Sequence, residues 1–199
     1  ELVWLASPVD RFFMQVQGSG RVRLPSGRVL RLTYAAKSGL PYTSIGKVLL
    51  ERGVLKREDI SMQAIRLWMA RHPDEARAVM WRNRSFVFFR IADLPNPKLG
   101  AIGAAGVQLS PLVSLAVDWR FWPYGAPVWL DTRLGRDDGP AFRRLMVAQD
   151  TGTAIRGAVR GDIYFGFGEK AAQLAGRQAA PGRMVVLLPN PVARRLIRR

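Results

Sequence analysis

The chain has 199 residues, 48% of them hydrophobic, which is the composition of a folded globular protein with room for one sizeable core or two small ones. It contains no cysteine and one histidine, His72 at a predicted helix end, so disulfides, thiolate metal sites and cysteine nucleophiles are excluded, and neither a metal nor a cofactor is expected. Its 31 Lys and Arg against 15 Asp and Glu give a formal net charge of +16, which predicts an anionic partner without distinguishing nucleic acid, anionic lipid and acidic glycan.

The first 84 residues are predicted to form a domain of strands and helices. The run "RFFMQVQ" alternates in polarity, and "RVRLPSGRVLRLTY" places apolar residues on both sides of a Pro-Ser-Gly turn, so this region predicts a β-hairpin. Helices are predicted for "TSIGKVLLERG", with Ser44 as N-cap, and for "SMQAIRLWMARH" and "PDEARAVMWRN". Met62, Trp68 and Met69 share one helical face and are expected in the core.

After Asn83 the sequence changes to short β-rich runs separated by Gly- and Pro-rich connections, a pattern typical of a barrel or a sandwich. We therefore predict a β domain over residues 85–190, followed by a basic tail over residues 191–199. Residues 93–111, the stretch richest in Pro and Gly, are predicted to form a long loop. The six predicted strands lie in "SFVFFRIA", "SLAVD", "APVWL", "RLMVAQD", "DIYFG" and "RMVVLLP".

Three aspartates lie at the ends of these predicted strands: Asp118, Asp150 and Asp162. One such aspartate commonly caps a turn, but three together indicate an acid site. The connection "DTGTAIRG" is expected to bring backbone N–H groups to Asp150 and keep it ionised, whereas apolar neighbours of Asp162 favour a protonated carboxyl. Acid-catalysed glycoside cleavage requires such a difference in protonation between two carboxyl groups. The hypothesis requires Arg156 and Arg160 to point away from Asp162.

Several blocks follow one another as in a known family. Over residues 1 to about 190 the chain resembles the membrane-bound lytic transglycosylase A family (MltA), including its C-terminal three-aspartate (3D) domain. The resemblance implies a mainly β fold, with a double-ψ β-barrel in the C-terminal half and a smaller β-rich domain with helices before it. It also implies an incomplete barrel, because family members carry a preceding segment that contributes strands to it. The blocks include "QVQGSGRVRLPSG", "YTSIGKVLLERG", "GVQLSPLVSLAVD", "RLMVAQDTGTAIRGAVRGDIYFGFGEKA" and "GRMVVLLP".

The resemblance also implies roles for the three aspartates. Asp162 matches the family's catalytic acid and base, Asp150 is a second catalytic-site residue, and Asp118 belongs to the substrate site. Other candidates for glycan contact are chosen because sugars are bound by hydrogen-bonding side chains and flat apolar rings, although ordinary packing explains these residues equally well. They are Gln15, Gln17, Ser19, Trp119 and Trp122.

The implied activity is that of a peptidoglycan lytic transglycosylase, a lyase. It would cleave the β-1,4 bond between N-acetylmuramic acid and N-acetylglucosamine and leave a 1,6-anhydromuramyl end. The implied location is the cell envelope, in the periplasm or at the outer membrane, with an anchor outside this chain and no nucleic-acid partner. The alternative is a noncatalytic glycan- or nucleic-acid-binding module in which the aspartates only organise turns; hydrolysis by water is a third reading.

Overall fold

The computed structural model describes residues 1–197, which form two compact units, Glu1–Pro95 and the part of the chain from Asn96 onward. The first unit contains a three-stranded antiparallel sheet in the order β1-β2-β3, together with four helices. Its elements in chain order are α1 (Pro8–Gln17), β1 (Ser19–Arg23), β2 (Val29–Lys37), α2 (Ile45–Glu51), α3 (Met62–Arg71), α4 (Pro73–Trp81) and β3 (Val87–Ile91).

Helix α1 replaces the strand that the alternation of "RFFMQVQ" predicted, so that prediction is wrong. Ser7 caps the helix by accepting a hydrogen bond from the backbone of Asp10, and Pro8 occupies the first turn, where its missing N–H is not needed. The buried residues Phe12 and Phe13 fit a helical stripe as well as a strand. The local start signals therefore outweigh the short alternation.

The remaining predictions for the first unit agree with the structure. The hairpin of β1 and β2 turns at Gly27, whose φ of 82° is a conformation that glycine adopts readily. Ser44 caps α2 as expected, and Ser61 caps α3 in the same way. The core of this unit gathers one face of each helix; its buried residues are Phe12, Phe13, Ile45, Val48, Leu49, Ile65, Met69, Ala76 and Val79.

The second unit is built on a five-stranded sheet in the order β7-β4-β6-β5-β8. Strands β4 and β6 are parallel and the other neighbours are antiparallel. The core under the sheet is centred on Leu115, Val117, Val128 and Met146, which are fully buried. The elements are β4 (Ser114–Val117), β5 (Pro127–Arg133), β6 (Ala141–Asp150), β7 (Gly161–Ile163), α5 (Glu169–Arg177), β8 (Gly182–Val186) and α6 (Asn190–Ile197).

All six predicted strands are present, but β3 belongs to the first unit because it pairs with β2. The division between units therefore falls after Pro95, about ten residues beyond the expected boundary. Residues 93–111 form a long connection with one isolated bridge, between Ile102 and Gln108. Helices α5 and α6 were not predicted; α6 occupies most of the expected basic tail, and residues 198 and 199 lie outside the described part of the chain.

Candidate active site

Two aspartates of the second unit lie in one row of its sheet. Ala116 of β4 is paired with Asp150 of β6 on one side and with Asp162 of β7 on the other. The pairing of β4 with β6 shifts register between Leu115 and Ala116, and this irregularity places Asp150 in the row of Ala116. The backbones of Asp150 and Asp162 are thus two strand spacings apart, roughly 10 Å.

Asp150 ends β6 with a half-buried carboxyl group. The backbone N–H groups of Ala104, at 3.1 Å, and of Thr151 donate to this carboxyl. Burial nevertheless raises the pKa of Asp150, because the loss of hydration outweighs these two hydrogen bonds. The expected backbone hydrogen bonds therefore form, but desolvation is the larger effect on the pKa of Asp150.

Asp162 forms an ion pair with Arg160, and its side chain is 44% exposed. The guanidinium Nε lies 2.6 Å from Oδ1 and Nη2 lies 3.2 Å from Oδ2, a bidentate arrangement that raises the pKa of Arg160. The hypothesis that Arg160 points away from Asp162 is wrong. The reason is local, because residues two apart in extended backbone turn their side chains to the same side.

Asp118, directly after β4, is fully buried with an exposure of 0%. Its two carboxylate oxygens accept from Nε and Nη2 of Arg120 at 2.9 and 2.6 Å, and the backbone N–H of Gly157 donates to Oδ2 at 2.8 Å. The hydrogen-bonded Arg120 guanidinium is the main cause that holds the pKa of Asp118 well below its usual range. The enclosed carboxylate anchors the loop that carries Gly157; its part in the substrate site stays a prediction.

That loop, residues 151–160, joins the two aspartates of the row and is fixed at two further points. The Thr151 hydroxyl donates to the carbonyl of Val117 at 2.8 Å. The indole N–H of Trp122 donates to the carbonyl of Ala158 at 2.8 Å. Because the partly buried Trp122 ring also packs against the core, this residue helps to hold the loop; its contact with a glycan stays a prediction.

The segment after Asp118 exposes aromatic side chains. Trp119 and Phe121 are each 57% exposed, and Tyr124 is partly exposed. The Tyr124 hydroxyl forms a hydrogen bond with the Thr151 side chain, and burial, with a smaller effect of the Asp150 charge, raises its pKa. Sequence reasoning had singled out Trp119 but missed Phe121 and Tyr124; the signal was the density of aromatic residues in "DWRFWPYG".

In the first unit, taken by itself, the three polar candidates lie at one junction. Gln15 and Gln17 belong to the last turn of α1, and Ser19 begins β1 after Gly18, whose φ is 73°. Gln17 is exposed, with Nε2 at 4.0 Å from the sulfur of Met62, and the other two are half-buried. Their grouping is a finding; their contact with a glycan stays a prediction.

The remaining features of the described chain offer no competing centre. His72 is exposed at the end of α3, where its ring stacks on Trp68 and Nδ1 lies 2.9 Å from the Trp68 carbonyl oxygen. Within residues 1–197, no group of three acidic or histidine side chains is placed to hold a metal ion. In the same residues, no helix has both the length and the apolar character needed to cross a bilayer.

Comparison with known proteins gives two matching family models. The "MltA specific insert domain" matches residues 1–90, and the "3D domain" matches residues 113–188. Membrane-bound lytic murein transglycosylase A of Escherichia coli K12 is 41% identical over 198 residues, which are 96% of this chain and 53% of that protein. The protein of the same name from Vibrio cholerae is 37% identical over 191 residues, covering 92% of this chain and 50% of the relative. The chain thus spans about half the length of the curated relatives it matches.

Solved structures agree with this similarity. The crystal structure of a membrane-bound lytic murein transglycosylase from Agrobacterium tumefaciens has a TM-score of 0.90 and 45% identity, and the match covers 98% of this chain and 54% of that one. The structure of Escherichia coli MltA with bound chitohexaose has a TM-score of 0.81 and 38% identity over 91% of this chain and 55% of that one. These matches confirm the expected fold class, mainly β with a double-ψ barrel in the C-terminal half and a smaller β-rich domain with helices.

Proposed function

The chain belongs to the membrane-bound lytic transglycosylase A family, and from that membership we propose that the protein is a peptidoglycan lytic transglycosylase. The proposed reaction cleaves the β-1,4 bond between N-acetylmuramic acid and N-acetylglucosamine and leaves a 1,6-anhydromuramyl end. One observation of the second unit carries the proposal: Asp150 and Asp162 lie in one cross-strand row, on either side of Ala116.

In the proposed mechanism Asp162 acts first as an acid and then as a base. Its carboxyl group gives a proton to the oxygen that links the two sugars, and the bond from that oxygen to the anomeric carbon of N-acetylmuramic acid breaks. The carboxylate then takes the proton of the 6-hydroxyl of the same sugar while that oxygen bonds to the anomeric carbon. The proton returns to Asp162 and no water is consumed, so one positioned carboxyl serves both half-reactions.

Asp162 must leave Arg160 before it can carry this proton. The side chains of the two partners are 44% and 54% exposed. An ion pair so open to water contributes about 0–1 kcal/mol, so opening it costs little. We therefore propose that the bound glycan displaces Arg160 from Asp162.

Other residues contribute by contact with the glycan or by support of the site. Trp119 and Phe121 offer exposed rings on which a sugar can stack, and Gln15, Gln17 and Ser19 offer hydrogen-bonding groups in the first unit. The half-buried Asp150 is the second carboxyl group of the site; it lies at the start of the 151–160 loop and helps to fix that loop.

The proposed location is the cell envelope, in the periplasm or at the outer membrane, because peptidoglycan lies there and the curated relatives are named membrane-bound. The net charge of +16 suits work on an anionic polymer.

The test is release of soluble fragments from purified peptidoglycan by the full-length protein. We expect release by the wild type and none by Asp162→Asn. Binding of peptidoglycan with no release by a folded wild type would instead support the noncatalytic module.

A further inference from the structure

The sheet of the first unit carries positive charge only. Strands β1, β2 and β3 contain five cationic residues and no aspartate or glutamate, and the chain has no acidic residue between Asp10 and Glu51. A sheet in a soluble protein commonly alternates charges of both signs, since opposite charges on facing strands stabilise each other. The cationic residues are Arg21, Arg23, Arg31, Lys37 and Arg90.

The four arginines of this set lie on one face of the sheet. Arg21 of β1 is directly opposite Arg31 of β2, and Arg23 follows Arg21 by two residues. Thr33, two residues after Arg31, is opposite both Ser19 and Arg90. Residues two apart on a strand and residues directly opposite on neighbouring strands share a face. We call the set Arg21, Arg23, Arg31 and Arg90 the arginine face.

The opposite face of the same sheet packs inward, since Val22 and Leu32 are buried. On the arginine face Arg21, Arg23 and Arg90 are exposed and Arg31 is half-buried. Thr33 lies among them and is 3% exposed, and within the described residues its hydroxyl oxygen has no hydrogen-bond partner.

This arrangement favours an anion. Side chains directly opposite on antiparallel strands have Cβ atoms about 5 Å apart, and like charges placed so destabilise the pair. A carboxylate bound between Arg21 and Arg31 replaces that repulsion with two charge-assisted hydrogen-bonded pairs, for which the planar guanidinium is well shaped.

We propose that the arginine face binds the carboxylates of the peptides attached to the glycan strand, so that the protein prefers peptide-bearing over peptide-free glycan. This inference rests on the proposed function. It favours peptides over an anionic membrane because Ser19, a candidate glycan contact, lies on the same face, two residues before Arg21 and in the row of Arg90. A glycan held at Ser19 therefore brings its own acidic substituents to the arginines.

The experiment uses the full-length protein carrying Asp162→Asn, which prevents cleavage. Its binding is measured to purified glycan strands that carry their peptides, and to the same strands after an amidase has removed the peptides. The quantity of interest is the ratio of the two affinities. We expect Arg21→Gln/Arg31→Gln to lower this ratio roughly 5-fold, as for the loss of two ion pairs near the protein surface. Arg71→Gln/Arg77→Gln removes the same charge from exposed positions on α3 and α4 and is expected to leave the ratio unchanged.

Two results would overturn the proposal: a ratio that stays unchanged in Arg21→Gln/Arg31→Gln, whether or not both affinities fall together, or an equal fall of the ratio in the control variant. A larger loss of binding to phosphatidylglycerol-containing vesicles than to peptide-bearing strands would also overturn it, in favour of a membrane surface. Failure of the proposed function gives a different result: the protein with Asp162 intact would release no product from either kind of strand. The two outcomes are distinguishable because the ratio of binding affinities does not depend on cleavage.

Discussion

Asp150 and Asp162 occupy the same cross-strand row of the C-terminal sheet, one on each side of Ala116. The two carboxyl groups differ in their surroundings: Asp150 is half-buried and accepts backbone hydrogen bonds, whereas Asp162 is paired with Arg160. One row of the sheet therefore presents two acids in different surroundings, and the role proposed for each can be tested by itself.

Replacement of Asp150 by Asn is expected to separate activity from stability. Burial raises the pKa of Asp150 in the folded protein above its ordinary value in the unfolded chain. The free energy of unfolding therefore falls as the pH rises from the ordinary aspartate pKa to the raised one, because ionisation of Asp150 costs more in the folded state. Asp150→Asn removes this penalty, and the amide oxygen can still accept from Ala104. We expect a higher thermal midpoint than wild type at about pH 7 and none of this gain at about pH 3, where the wild-type carboxyl is protonated.

Cleavage by the same variant is expected to fall about 10²-fold, because a slightly displaced site loses that much rate. Thermal unfolding across pH and initial rates on peptidoglycan check the two halves. A lower midpoint at neutral pH would show that the charge of Asp150 stabilises the fold, contrary to this account.

Asp118→Asn is expected to weaken the anchor of the 151–160 loop. The paired Arg120 lowers the pKa of Asp118, so this carboxylate contributes stability above the ordinary aspartate range and loses it as the pH falls below that range. The variant should therefore have a lower midpoint than wild type at neutral pH, and the difference should shrink in acid.

Hydrogen exchange gives a local test of the same anchor. The amide of Gly157 should exchange faster in Asp118→Asn, because its acceptor is then a neutral side chain. The matched control is Asp138→Asn, at an exposed acid in the turn between β5 and β6. Unchanged protection of Gly157 would contradict the positioning role.

Substitutions of the two tryptophans after Asp118 are expected to have different effects, one on glycan binding and the other on stability. Trp119→Ala should weaken glycan binding roughly 5- to 10-fold with the midpoint unchanged, because an exposed ring is lost. Trp122→Phe removes the donor to the Ala158 carbonyl and should lower stability by about 1 kcal/mol. Binding isotherms and denaturant unfolding of both variants check this, and the reverse assignment of effects would contradict it.

The sequence predicted most where short-range signals agree. Ser44 marks the start of a helix through its own hydrogen bond, and the six β-rich runs were recognised as strands because they are short, apolar and separated by turn signals. The same reasoning failed for α1, where "RFFMQVQ" fits both periods and the decision came from Ser7 and Pro8 just before it.

The chemistry of the site was predicted less well, because it depends on which groups meet in space. The identity of Asp118 and Asp162 as notable acids came from their positions at strand ends. That Arg120 pairs with the buried Asp118, and that Arg160 pairs with Asp162, depends on side-chain directions that composition does not reveal. The loss of hydration at Asp150 likewise results from tertiary packing.

Asp162→Asn in the full-length protein is expected to reduce cleavage by at least about 10²–10⁴-fold, since one group serves as both acid and base. Binding of glycan strands and the thermal midpoint should stay close to wild type. Asp137→Asn, at an exposed turn acid of the same unit, is the control and should retain activity. Retention of more than a tenth of the wild-type rate by Asp162→Asn would assign the chemistry elsewhere, with Asp150 the next candidate.

The most direct measurement is mass spectrometry of the fragments that the wild-type protein releases from peptidoglycan. Attack by the sugar's own 6-hydroxyl leaves each new muramyl end one water lighter than hydrolysis does. The account predicts fragments with 1,6-anhydromuramyl ends, formed by the wild type and absent with Asp162→Asn. Fragments with ordinary reducing ends would contradict it, because they would show that water, and not the 6-hydroxyl, attacks the anomeric carbon.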